Sequence, residues 1–224
     1  FLIYKIYSEK ICCTKDLYRF QFLRFGRLYP VHLVFLLAFL LIEIVKYFAE
    51  RKLGLSNIRS LPFSENSLGA LIKQAFLFHA ILPSNDAATF NGPAWSISVE
   101  FYTYLIFGLL ILFFKSQTVK VIGFLTISSL LMLSTNYTLG FDNLLRCLSG
   151  FFLGCLTAKV INKSRIRLTN YLSTIVFISI ILFLQFKTPK SLDGPIYFLI
   201  PILIFSIMLN RNGFLNKVLN IKIL

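Results

Sequence analysis

A glutamate inside an apolar run is the first residue of this chain that calls for a chemical explanation. The stretch NGPAWSISVEFYTYLIFGLLILFF, Asn91 to Phe114, is apolar enough from Ala94 onward to cross a bilayer, yet it holds Glu100. A carboxylate at a helix centre costs roughly 2.5 to 3.5 kcal/mol on insertion scales, so a partner or a function should offset it. Six residues in from Ala94, it would lie about 9 Å below the outer boundary, placed to pair with a cation or to exchange a proton. Arg146 begins the run RCLSGFFLG and is the nearest partner in predicted depth, since an arginine facing lipid is unfavourable. In the same run Gly150 and Gly154 form a small-xxx-small face, which reads as close helix packing. In LRFGRLYP, Arg24 and Arg27 are three apart and share a helical face, so two planar guanidinium forks can meet one polyanion. Composition alone favours the plainer reading, cytoplasmic anchoring with snorkelling stems. His32 and His79 have no ligand-like partner at i+3 or i+4 and read as ordinary satisfied histidines, with no metal site.

The elements that position these residues are membrane helices. Hydrophobic residues make up 57% of the 224 and charged residues 14%, with mean hydropathy +0.76, more apolar content than a soluble core of this length needs. The net charge of +14 sits in short clusters between apolar runs, which is the pattern of cytoplasmic loops and not that of a nucleic-acid-binding face. Four cysteines lack CxxC or metal spacing and read as free thiols. A spanning helix needs about 20 mostly apolar residues. Six runs approach that: 28–48, 94–114, 119–135, 144–161, 171–186 and 195–209, with 1–7 as the end of a seventh. Alternating connections place Lys5 to Arg27, Lys115 to Lys120, Lys159 to Arg167 and Arg211 to Lys222 on one side, with 15 of the 23 Lys and Arg, which makes that side cytoplasmic. Tyr29, Tyr47, Tyr137, Tyr171 and Tyr197 fall at predicted span ends, as interfacial aromatics do. In the long outer connection, SLGALIKQAFLFHAIL has helical apolar spacing and predicts an amphipathic outer helix of about 16 residues. Gly92-Pro93 predicts an extended lead-in to Trp95, which suits an interface. The expectation is an all-α polytopic transmembrane helical bundle, one membrane domain over 1–224, incomplete at both ends.

Taken in order, RFGRLYP, PAWSISVEFY and RCLSGFFLG resemble the membrane-bound acyltransferase family 3, multispan enzymes that O-acylate surface and secreted carbohydrates such as polysaccharide and lipopolysaccharide. The resemblance extends over essentially the whole chain. It implies an acyl-CoA donor, acetyl-CoA in the first instance, a glycan or glycolipid acceptor, a lipid bilayer around the protein, no bound cofactor, and a multi-pass place in the cell membrane, bacterial inner or plasma membrane. Arg24 and Arg27 match its donor-associated R-x-x-R. Trp95, Ser96 and Glu100 match W-S-x-x-x-E, while Arg146, Gly150 and Gly154 match R-x-x-x-G-F-x-x-G. Glu100 and Arg146 are then the catalytic candidates, with Trp95, Ser96 and the two glycines in support. The family's histidine lies upstream of the matching FLI and has no counterpart here, so this segment is expected to bind donor without catalysing transfer. A transporter or flippase segment, with Glu100 and Arg146 lining the path, is the alternative. A structural membrane subunit is a third.

Overall fold

The computed structural model describes residues 1–54, 61–81, 83, 85–163, 171–185 and 194–209, and among them the chain is all-α with no strand. In order, the helices are α1 (Leu2–Tyr7), α2 (Thr14–Leu53), α3 (Leu68–Ala75), α4 (Trp95–Phe114), α5 (Thr118–Ser134), α6 (Asp142–Lys163), α7 (Leu172–Gln185) and α8 (Gly194–Leu209). Three stretches are long and apolar enough to cross a membrane: Thr14–Lys52, Gly92–Ser134 and Asp142–Lys163; Leu172–Gln185 and Pro195–Leu209 are shorter apolar helices. This is a membrane protein. Val31, Val34, Phe35, Leu41, Val45 and Phe48 on α2 are exposed, a surface that water would penalise and acyl chains would not.

The chain divides into two compact units, one of residues 1–10, 114–137 and 148–224, the other of residues 11–113 and 138–147. In the first, α7 packs on α8. On α6 a Cβ on Gly154 would fall 2.9 Å from the Phe1 backbone nitrogen, whereas Gly150 is exposed and a Cβ there would meet the Tyr197 ring at an ordinary contact distance, 3.9 Å. The second unit holds α2, α3, α4 and the first residues of α6, and with them Arg24, Arg27, Glu100 and Arg146.

Helix α2 runs well beyond the predicted span at both ends. At its start Asp16 accepts hydrogen bonds from the Cys12 and Cys13 backbone N–H groups, both at 3.2 Å, and at its end Gly54 takes the left-handed conformation (φ 62°) that closes helices. Pro30 lies inside it, tolerated as prolines are in membrane helices. The amphipathic helix is shorter than its apolar spacing predicts. It begins at Ser67, whose hydroxyl caps the Ala70 N–H, and stops at Ala75, where Leu77 turns left-handed (φ 60°) and the Phe78 N–H closes onto the Lys73 carbonyl at 2.7 Å. It is amphipathic as expected: Leu68 and Ile72 are exposed while Ala70 and Gln74 are buried, Ala70 in one core with Leu36 of α2 and Phe90, and Leu77, His79 and Ala80 of the segment that follows are buried as well. The expected extended lead-in to Trp95 is a 3-10 turn, Gly92–Ala94, and the extended residue is Asn91. Without a Cβ, Gly92 escapes most of the restriction that proline imposes on the residue before it. The predicted cytoplasmic stretches 159–167 and 211–222 lie outside the described residues from 164 and 211 onward.

Candidate functional site

Helices α2 and α4 run antiparallel along each other, and their contacts fix the level of every candidate residue in this unit. Gln21 Nε2 donates to the Phe101 carbonyl at 3.1 Å, Phe20 meets the Tyr104 and Phe107 rings at 6.1 and 6.0 Å, and Phe25 meets Phe101 at 6.0 Å. Gly108 leaves room for the Leu17 side chain at this contact, since a Cβ there would fall 2.3 Å from Leu17 Cδ1. Arg24 therefore lies beside the Phe101–Tyr104 turn. This corrects the expected placement, in which the arginines sit at the cytoplasmic start of one span and Glu100 near the outer end of another. By helical rise Tyr104 is about 15 Å along α4 from Ala94, so Arg24 is level with the middle of α4.

At this level three side chains form a connected set. The half-buried Arg24 guanidinium lies 5.4 Å from the Phe20 ring centroid and 5.5 Å from that of Tyr104, in cation–π contact with both. The Tyr104 hydroxyl donates to the Glu100 carboxylate one turn earlier on α4. Arg27 is exposed one turn beyond Arg24, so the two guanidinium groups share a face but not an environment. Glu100 is half-buried, and its hydrogen-bond partner among the described residues is Tyr104, not the expected Arg146. The physical reason is local: a residue at i+4 already lies on the same helical face, whereas an interhelical pair needs two helices in exact register. Arg146 is half-buried, and its neighbour Cys147 accepts from the Thr103 hydroxyl at 3.3 Å, which brings the start of α6 to the same part of α4. Trp95 and Ser96 are exposed at the top of α4, with the Ser96 hydroxyl donating to the Pro93 carbonyl at 3.0 Å.

Two further polar clusters hold the outer connection. His32 and His79, 47 residues apart in sequence, are both buried with parallel rings 5.7 Å apart at centroids. His32 Nε2 donates to the Gln74 carbonyl at 2.9 Å, while the Gln74 amide donates to the Thr89 carbonyl at 2.7 Å. Ser98 of α4 donates to the Leu77 carbonyl, and the Tyr29 hydroxyl to the Ala75 carbonyl at 3.0 Å, so the segment after α3 is tied to both long helices. Tyr29 is thus a tether to this connection, not a free interfacial aromatic. Burial pushes the His79 imidazole down to about 4; His32 lowers it further, while the Lys73 and Ala94 backbone and Asp86 oppose the shift. The second cluster surrounds Glu43, which is buried and accepts from Lys46 Nζ at 2.8 Å, the Phe63 N–H at 2.9 Å and Asn66 Nδ2 at 2.9 Å.

Tyr104, Gln74 and Glu43 escape a reading of the sequence. Glu43 carries the signal that marks Glu100, an acid in an apolar run, and Tyr104 could be found as the residue four beyond that acid. Nothing in sequence marks Gln74. No group of three or more potential metal ligands occurs among the described residues. Compared with protein-family models, curated proteins and solved structures, the chain matches none.

Proposed function

We propose that this protein is a multi-pass membrane O-acyltransferase that moves an acyl group, acetyl in the first instance, from cytoplasmic acyl-CoA to a hydroxyl of an extracytoplasmic carbohydrate. The observation that carries the reading is the meeting of Arg24, from R-x-x-R, with Glu100, from W-S-x-x-x-E, across the single side chain of Tyr104. These two blocks support the resemblance by sequence, and distant blocks that share a reaction should converge in space. In the reaction the hydroxyl oxygen attacks the thioester carbonyl carbon, the C–S bond breaks, and the hydroxyl proton ends on the CoA thiol. A guanidinium suits the negative charge that develops on donor phosphates or on the carbonyl oxygen, and a carboxylate suits orientation or deprotonation of the attacking hydroxyl. Arg24 and Arg27 take the donor side of this division and Glu100 with Arg146 the acceptor side.

Protection of arginine from a dicarbonyl reagent tests the reading directly. Acyl-CoA should slow modification of Arg24 and Arg27 in the membrane-embedded protein, and labelled acetyl-CoA should pass its acetyl group to a glycan in its presence. Modification indifferent to acyl-CoA would favour a transporter or structural subunit instead.

A further inference from the structure

We infer that α3 and the turn after it lie inside the bilayer as a re-entrant element, with the exposed stripe of Leu68, Ile72 and Phe76 in contact with lipid acyl chains. The inference does not depend on the acyltransferase reading. A helix resting in the membrane interface lies in the membrane plane. Helix α3 instead runs antiparallel to α2, which is long and apolar enough to cross the membrane. Asn66 Nδ2 donates to Glu43, Ala70 packs with Leu36, and the Gln74 and Ala75 carbonyls accept from His32 and Tyr29. From Glu43 to Tyr29 these contacts follow α2 over about 21 Å of helical rise. Over the same levels α2 itself exposes Val31, Val34, Phe35 and Leu41, so the two helices share one apolar depth.

The end of α3 is finished for a medium without water. The last carbonyls of a helix have no partner within it, and in hydrocarbon each must find one in the protein. Here the Ile72 and Lys73 carbonyls accept from the Phe76 and Phe78 N–H groups at 3.1 and 2.7 Å. The next four each accept from a side chain of a long helix: Gln74 from His32 Nε2 at 2.9 Å, Ala75 from the Tyr29 hydroxyl at 3.0 Å, Phe76 from the Tyr102 hydroxyl at 3.1 Å, and Leu77 from the Ser98 hydroxyl. Water would serve a helix end outside the membrane, and none of these side chains would be needed. From Leu68 to Ala80 the exposed side chains are Leu68, Ile72, Phe76 and Phe78, all apolar. Lys73 is half-buried and paired with Asp86, as charges at membrane depth are. Exposed Ser64 and Glu65, just before α3, mark where the element meets water.

Lipid photo-crosslinking tests this on the unsubstituted protein. In phosphatidylcholine vesicles, a diazirine near the end of the acyl chain should mark the peptide that carries Leu68 to Phe78, read by mass spectrometry, as it marks α2. An interfacial helix would be marked from a headgroup diazirine and not from the chain end, and that result would overturn the inference. Accessibility supplies a second measure. A thiol in hydrocarbon does not ionise and the thiolate is the reacting form, so Ile72→Cys should react with an impermeant maleimide, added to both sides of the membrane, at least about 10-fold more slowly than Ser64→Cys. Equal rates would place α3 in water and sink the inference as well. A protected Ile72→Cys without acyl-chain crosslinks in the α3 peptide would mean that protein, a second copy or another chain, covers the stripe, which also overturns the lipid contact. Should a cysteine variant fail to fold, the crosslinks in the unsubstituted protein decide.

Discussion

Glu43 and Glu100 are both acids within long apolar helices, and their surroundings differ in kind. Glu43 is buried with three donors on it, Lys46 from its own helix and the Phe63 N–H and Asn66 amide from the outer connection. Asn66 in turn accepts from the Phe90 N–H, so the carboxylate joins α2 to two points of the connection. Glu100 is half-buried, with Tyr104 as its hydrogen-bond partner and Arg24 held just beyond on the tyrosine ring. A carboxylate whose lone pairs are filled by the fold stabilises the fold. One left with open positions beside a retained cation can bind something else. The shared sequence signal, an acid in an apolar run, does not separate these cases; counting donors does.

The largest expected effect breaks the comparison on the side of function. On the acyltransferase reading, Glu100→Gln should reduce acyl transfer about 10²- to 10⁴-fold, the usual range for lost proton-transfer assistance, while its unfolding in detergent stays within about 1 kcal/mol of the parent. Glu43→Gln should do the reverse. Replacing a buried acceptor of three hydrogen bonds, one from a cation, with an amide that repels at least one donor should cost about 3 kcal/mol. Thermal unfolding and transfer measured on both variants make a two-by-two test, and equal patterns for the two acids would dissolve the distinction.

Acid sharpens the comparison by acting on a third cluster. His79 binds a proton less readily in the fold than in the unfolded chain, so between about pH 6.5 and pH 4 the unfolded state takes up more protons and stability falls as pH falls. The loss should reach roughly 3 kcal/mol by pH 4 and be absent above pH 7. His79→Phe should flatten this dependence, as followed by melting temperature against pH. Smaller effects should follow from the arginines. Arg24→Lys keeps the charge and loses the planar group over the Tyr104 ring, and on the acyltransferase reading should weaken acyl-CoA binding about 10-fold; exposed Arg27→Lys should cost less. Equal losses at the two positions, by equilibrium binding, would mean that the aromatic seat of Arg24 contributes nothing. An effect on stability alone is expected at Gly140, with φ 83° and a Cβ that would meet Pro83 Cβ at 2.5 Å; Gly140→Ala should cost about 1 to 2 kcal/mol in thermal unfolding without touching either acid.

Apolar runs of about 20 residues determine an all-α membrane architecture from sequence alone, because a backbone in hydrocarbon must satisfy its own hydrogen bonds and a helix does so locally. The same locality makes Glu100, Arg24, Arg27 and Arg146 stand out, since charge in an apolar run is visible without knowing any neighbour. What touches what is not local. Helical periodicity carries the outer helix through His79, but left-handed Leu77 ends it early, and burial of Gln74 and the two histidines follows from the segment packing on α2 and α4. Depth reckoned from span ends separates Arg24 from Glu100 and pairs Glu100 with Arg146. Only the antiparallel register of α2 on α4 puts Arg24 on the ring of Tyr104, whose hydroxyl already reaches Glu100 within α4. Sequence determined which residues must be accounted for in an apolar medium; side-chain packing between two helices decided which of them meet, because register is set by shape at the contact and not by the composition of either helix.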